Sequence, residues 1–208
     1  MARTRTRPPV AESVGGEDPI PRIFRRATAQ DAMELARATF LHGARVDMGE
    51  LAKELAVARA TLYRWCGSRE RLHEQILAQR AREFSTWAHD EAAGEGDERV
   101  LDHLRLMLDA TAQAQPVRRF IAREPQLALR ILTSEHGEVH RVLVQGLCDV
   151  ADEALTPRRA KVLKGRLDVA VDVATALQWV TIAIDDEPQS ERIVDVVRTQ
   201  LCARRPPG

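Results

Sequence analysis

Aromatic residues are scarce in this chain of 208 residues: one Tyr, three Trp and four Phe make up 4% of it. Ala, Leu, Val, Arg and Glu abound instead, a balance that favours helix over strand. No apolar run approaches the ~18 residues of a membrane span, so no transmembrane segment is expected. The arginines near the N-terminus have no apolar stretch behind them, so no secretory signal is expected either. The three cysteines, Cys66, Cys148 and Cys202, are odd in number and widely spaced. They argue against a disulfide framework and for reduced thiols in a cytoplasmic protein. Charge of one sign is lacking as well: 31 basic residues balance 31 acidic ones. A nucleic-acid binder with this balance has to concentrate its positive charge locally. The sequence contains no Gly-rich phosphate loop, no alternating strand pattern, no internal repeat and no recognisable nucleophile–base pair. An enzyme is therefore not expected, and no cofactor is called for. His136 and His140 stand one helical turn apart, a spacing used by metal ligands, but no carboxylate or thiol completes a set. No metal is expected.

What is present is helical periodicity and, at 44% apolar residues, enough material for a core. Residues 1 to about 26 are rich in Pro, Gly and Arg and read as a disordered basic arm. Arg3, Arg5 and Arg7 in it could reach a DNA backbone or remain a solvated tail. Thr28 to Gly43 reads as a first helix, with Thr28 as N-cap, Asp31 three residues on, and Gly43 as the stop. Asp47 caps a second helix. Ser68 caps a longer one that runs to about Glu91. Further helices are expected over about 97–115, 117–123, 125–134 and 137–155. The next opens at Thr156-Pro157 and runs to about Asp185, some 28 residues or about 42 Å. A last helix spans about 190–203. The expected class is all-α with about nine to ten helices.

The chain is organised around Asp47 to Leu72, DMGELAKELAVARATLYRWCGSRERL. Leu51, Ala52 and Leu55 give one helix an apolar face. Ala56-Val57-Ala58 leaves room only for a tight turn. Arg59 to Trp65 then forms a helix with an apolar side, Leu62 and Cys66, and a side of cationic and hydrogen-bonding groups. Two short helices braced across a turn, the second decorated in this way, have the layout of a helix-turn-helix reader of the DNA major groove.

The segment Leu51 to Leu72 resembles the DNA-binding signature of the TetR family. The matching positions are Leu51-Ala52, Val57 after the turn, Arg59, Thr61-Leu62-Tyr63, Ser68, Arg69, Glu70 and Leu72. The pattern covers about residues 28–75, and it is most similar to the QsdR-like branch. The later helices match in number, length and order. The resemblance implies a three-helix DNA-binding domain over 27–70 and a helical ligand-binding and dimerisation domain over 71–204. It also implies a homodimer on double-stranded DNA with a near-palindromic operator, released by a small molecule of unknown identity. By position, Arg59 and Thr61 would face base edges, with Arg59 suited to guanine. Tyr63 would meet base or phosphate, and Arg64, Trp65 and Arg69 would meet the backbone. Met48, which opens the preceding helix, is grouped with these contacts. The sequence departs from the family pattern at the turn, where Ala56 replaces Gly and Ala58 replaces a capping Ser or Thr. It departs again at Ala60, a common Gly site, and at Cys66, where an aromatic is usual.

In the body, Phe84, Trp87, Leu104, Met107, Leu108, Thr111, Phe120, Ile131, His140 and Trp179 are candidate pocket residues, each of which could equally be ordinary core. His103 and Gln178 are further polar candidates for orienting a ligand. The helix over 157–185 is apolar on more than one side, so it must be covered on more than one side. Val162, Val169, Val173 and Val180, with Ile193, Val197 and Leu201 of the last helix, are the candidate dimer seam. The alternative function is a helix-turn-helix regulator controlled by a protein partner, which a well-packed body without a pocket would mark.

Overall fold

The computed structural model of the chain describes residues 26–184, 187 and 189–202. The basic arm expected over residues 1 to about 26, with Arg3, Arg5 and Arg7, lies outside them but for Arg26, as do Asp185, Asp186 and Pro188. Ten helices follow one another, and no strand occurs among the described residues. They are α1 (Ala29–Leu41), α2 (Met48–Glu54), α3 (Arg59–Cys66), α4 (Arg69–Glu91), α5 (Asp97–Gln113), α6 (Gln115–Arg123), α7 (Pro125–Leu132), α8 (Glu138–Ala154), α9 (Pro157–Ala183) and α10 (Ser190–Cys202).

Side chains that satisfy orphan backbone groups set several of the starts. At α1 the Thr28 hydroxyl accepts from the Asp31 N–H (3.3 Å), and the Asp31 carboxylate accepts from the Thr28 N–H (2.7 Å), a full capping box. Asp47 Oδ1 accepts from the N–H groups of Gly49 (2.7 Å) and Glu50 (3.2 Å) at α2. Those two bonds hold its carboxyl below the usual carboxylate range. Ser68 Oγ accepts from the Arg71 N–H (3.1 Å) at α4. Pro residues lie in the first turns of α6, α7 and α9, where a missing N–H costs nothing.

Helices α1 to α3 enclose Ala32, Ala36, Phe40, Leu51, Ala52, Leu62 and Cys66, all buried. This small core is not closed on itself. Leu72 and Ile76 of α4, Phe120 and Ile121 of α6 and Ile131 of α7 belong to the same cluster. A unit of about forty residues buries too little surface to stand securely alone, and here it gains a floor from the body. Helix α4 is the shared element: it packs under α1 and α3 and also along α5 and α8. Helices α5, α8, α9 and α10 surround a second cluster that includes Val100, Leu147, Leu163, Leu167 and Val197.

Candidate functional site

The turn between α2 and α3 fixes the angle of the outer helix. Ala56 has φ +53°, in the left-handed region where an L-residue with a Cβ is strained. Around it the Ala56 N–H donates to the Lys53 carbonyl (3.1 Å) and the Val57 N–H to the Ala52 carbonyl (2.9 Å). This is a Schellman closure, which normally places Gly at the left-handed position. Ala58 then occupies the N-cap of α3 without a side-chain bond. Packing compensates: Leu62 and Cys66 are buried, and Leu55, Val57 and Trp65 lie against the same core. Burial also pushes the Cys66 thiol pKa up, so it behaves as a small core residue.

The opposite side of α3 faces water. Arg59, Tyr63 and Arg64 are exposed, Tyr63 at 43%, and Thr61 is half-buried. Arg59 and Tyr63 stand four residues apart and therefore share a face. Two of the expected contacts are corrected. Met48 is 2% exposed and sits in the core beneath α2, so its side chain cannot reach DNA. Arg69 is turned toward the body. Its Nε donates to the Val46 carbonyl (2.9 Å), and its Nη2 pairs with the Glu124 carboxylate. The guanidinium that position alone assigned to a phosphate is already occupied by a carbonyl and a carboxylate.

That ion pair belongs to a larger junction. Arg123 Nη2 donates to the Gly43 carbonyl (2.9 Å), so the end of α6 holds one end of the α1–α2 connection, and Arg69 of α4 holds the other at Val46. Gly43 has φ +74°, and a Cβ there would fall within 2.5 Å of the Arg119 guanidinium. Phe120 of α6 stacks on His73 of α4 (5.0 Å between ring centres) and tilts against Phe40 of α1 (5.7 Å).

Behind α6 lies a cavity of about 90 Å³ between α4, α5, α6, α7, α8 and α9. Of the candidate pocket residues, Phe84, Leu104, Met107, Leu108, Thr111 and Trp179 line it. Four other candidates do not. Trp87 packs on the α4–α5 cluster of Ala88, Leu106 and Ala110. Phe120 and Ile131 are core under the reader. His140 is buried facing Asp172, with Nε2 to Oδ1 at 3.2 Å. Each lies on a helix that borders the cavity but one step around its circumference, which apolarity alone does not reveal. The list of candidates missed Arg80 and the α6 residues Val117 and Ile121. The signal for the latter was the short Pro-started helix, whose single apolar face had to cover something. His103 and Gln178, named as polar candidates, both line the cavity.

On the far side of α9, Val162, Val169 and Val180 are exposed, Val169 at 60%, and Val173 is half-buried. Leu177 and Ile184 extend the stripe. Ile193, Val197 and Leu201 are corrected: each is 3% exposed or less and packs inward against α5 and α9. The outward apolar residue of α10 is Val196.

A helix-turn-helix unit seated through a shared fourth helix on a cavity-bearing helical body defines the class: a two-part, all-helical fold. The region 95–169 matches the family described as tetracycline repressor-like, C-terminal domain. The chain is similar in structure to the TetR-family transcriptional repressor QsdR of R. erythropolis, with a TM-score of 0.74 and 22% identity over 86% of this chain and 97% of that one. It is also similar to AlkX of a Dietzia species, a TetR-family repressor implicated in biodegradation of n-alkanes, with a TM-score of 0.54 and 18% identity over 85% and 95% of the two chains. No curated protein matches the chain. The fold is that of the TetR family, and the C-terminal region is of the TetR type. No helix among the described residues is long and apolar enough to cross a membrane.

Proposed function

We propose that the chain is a sequence-specific DNA-binding transcriptional regulator. It acts as a homodimeric repressor on a near-palindromic operator in the cytoplasm, and a small, mainly apolar molecule releases it. The observation that carries this reading is the outward face of α3. The side chains of Arg59, Tyr63 and Arg64 are exposed on a helix braced by packing and make no hydrogen bond or ion pair to another described residue. Cations with rotamer freedom, held on a helix that packing keeps in place, suit the major groove: the backbone attracts them and base edges select among them. Arg59 and Thr61 are assigned to bases, Tyr63 to base or phosphate, and Arg64 and Trp65 to phosphate. The exposed apolar stripe of α9 supports a dimer seam, since patches of this kind are rarely left to water. Two half-sites then supply the affinity that one short helix lacks.

The open cavity favours control by a small molecule over control by a protein partner. Helix α6 gives a route for it. Val117 and Ile121 face the cavity, while Phe120, Arg123 and the neighbouring Glu124 hold α1, α4 and the α1–α2 connection. A ligand pressing on α6 therefore biases the angle of the reader. Footprinting of the purified protein on sheared genomic DNA tests the reading. Discrete protected sites with twofold symmetry, weakened as salt rises, are expected; uniform binding without protected sites overturns it.

A further inference from the structure

Three polar atoms of cavity-lining residues are cut off from solvent yet have no hydrogen-bond partner: Gln178 Oε1, Trp179 Nε1 and His103 Nδ1. Native proteins leave few such groups unpaired, because each forfeits its hydration for nothing. Two other polar groups in the wall, on Thr111 and Arg80, behave differently. The Thr111 hydroxyl donates to the Met107 carbonyl (2.8 Å). Arg80 pairs with the Glu83 carboxylate and lies over the Phe84 ring at 4.5 Å. Most of the remaining wall is hydrocarbon, from Leu77 to Ile182.

The unpaired groups have definite hydrogen-bonding senses. Gln178 Nε2 donates to the Leu108 carbonyl (3.0 Å). The reversed amide would set two acceptors face to face, so the free atom is the carbonyl oxygen, an acceptor. The neighbouring indole N–H of Trp179 can only donate. Both residues stand on α9. The charge here is also settled. Burial drops the His103 pKa to about 4, so the ring is neutral at ordinary pH. The cation of Arg80 already has its carboxylate in Glu83.

We propose that the cavity takes an uncharged molecule with an apolar body and one polar head, an amide or a hydroxyl, that donates to Gln178 Oε1 and accepts from Trp179 Nε1. This rests on the ligand-controlled reading above and gives it a chemical class. A carboxylate head would set acceptor against acceptor at Gln178 and would leave its charge beside neutral groups. A head that accepts but cannot donate would satisfy the indole and leave Gln178 unpaired.

The test measures direct binding to the full-length protein, by calorimetry and tryptophan fluorescence. The probes are octanamide, octanol, octanoate and N,N-dimethyloctanamide, with their decyl homologues. Octanamide and octanol are expected to bind at least about tenfold tighter than octanoate and the dimethylated amide, the discrimination that an unpaired buried polar group enforces. Gln178→Met is expected to cut that advantage below about threefold, whereas Trp179→Phe is expected to weaken all four heads and keep the advantage, with circular dichroism that of the wild type in both variants. Tighter binding of octanoate, equal binding of all four heads, or no binding at either chain length overturns the proposal. DNA release measured in parallel separates the two readings. Head preference without release leaves the site standing and removes ligand control. Release by octanoate but not by octanamide retains control and overturns the site.

Discussion

At the scale of single residues, two strained or desolvated groups have measurable consequences. Ala56 sits at φ +53° in a closure built for glycine. Ala56→Gly relieves the left-handed strain but gives the unfolded chain more freedom, so a net gain of roughly 0.5–1 kcal/mol is expected in urea unfolding. His103 gives a pH signature. Its folded pKa is lowered to about 4 by burial, and that of His73 is lowered in the same direction for the same reason. The unfolded chain therefore binds more protons as pH falls below 6.5, the ordinary value for histidine. Stability from these groups is complete above that pH and is lost as pH falls toward 4, by on the order of 3 kcal/mol for His103. The difference in unfolding free energy between wild type and His103→Leu should shrink over that window and be flat above pH 7. A difference that grows on acidification would mean that the ring is charged in the folded state.

At the scale of elements, the helices were legible in the sequence because their punctuation is local. Thr28, Asp47 and Ser68 mark starts through bonds made within three residues, the prolines of α6, α7 and α9 mark them through a fixed φ and a missing N–H, and the observed bounds fall within a residue or two of those signals. The outward face of α3 was legible too, since Leu62 and Cys66 fix which side is inside. What a side chain meets across the fold was not. Arg69 reads as a phosphate contact by position, yet its partners are 23 and 55 residues away. The apolar residues of α10 read as seam, but only the packing of α5 against α10 turns Val197 and Leu201 inward. The junction around Glu124 was likewise invisible, and it yields a prediction at this scale. Glu124→Ala frees Arg69 and Arg45 and slackens the tie between α6 and the reader. Ligand binding should persist, while the ligand-induced change in DNA affinity falls several-fold, as measured by anisotropy with and without ligand; an unchanged response would remove the junction from the route.

At the scale of the whole molecule, α9 has two apolar sides with different duties. One closes the core through Leu163, Leu167 and Val171, and the other leaves Val162, Val169 and Val180 in water. Val169→Glu should yield monomers in light scattering with near-normal stability, and should weaken operator binding on the order of a hundredfold through lost bivalency. Leu201→Ala should instead cost about 2–5 kcal/mol of stability through a core cavity and leave association intact. The reverse pattern would move the seam to α10. The whole account rests on the outward face of α3 as the reader. Its most direct test is a salt titration of operator binding by wild type and by the double variant Arg59→Ala, Tyr63→Phe, with the oligomeric state followed alongside. The expected result is loss of specific binding, down to the salt-sensitive background shared with bulk DNA, in a protein that still dimerises. Retention of specific affinity by the double variant would contradict the assignment of α3 as the surface that reads DNA.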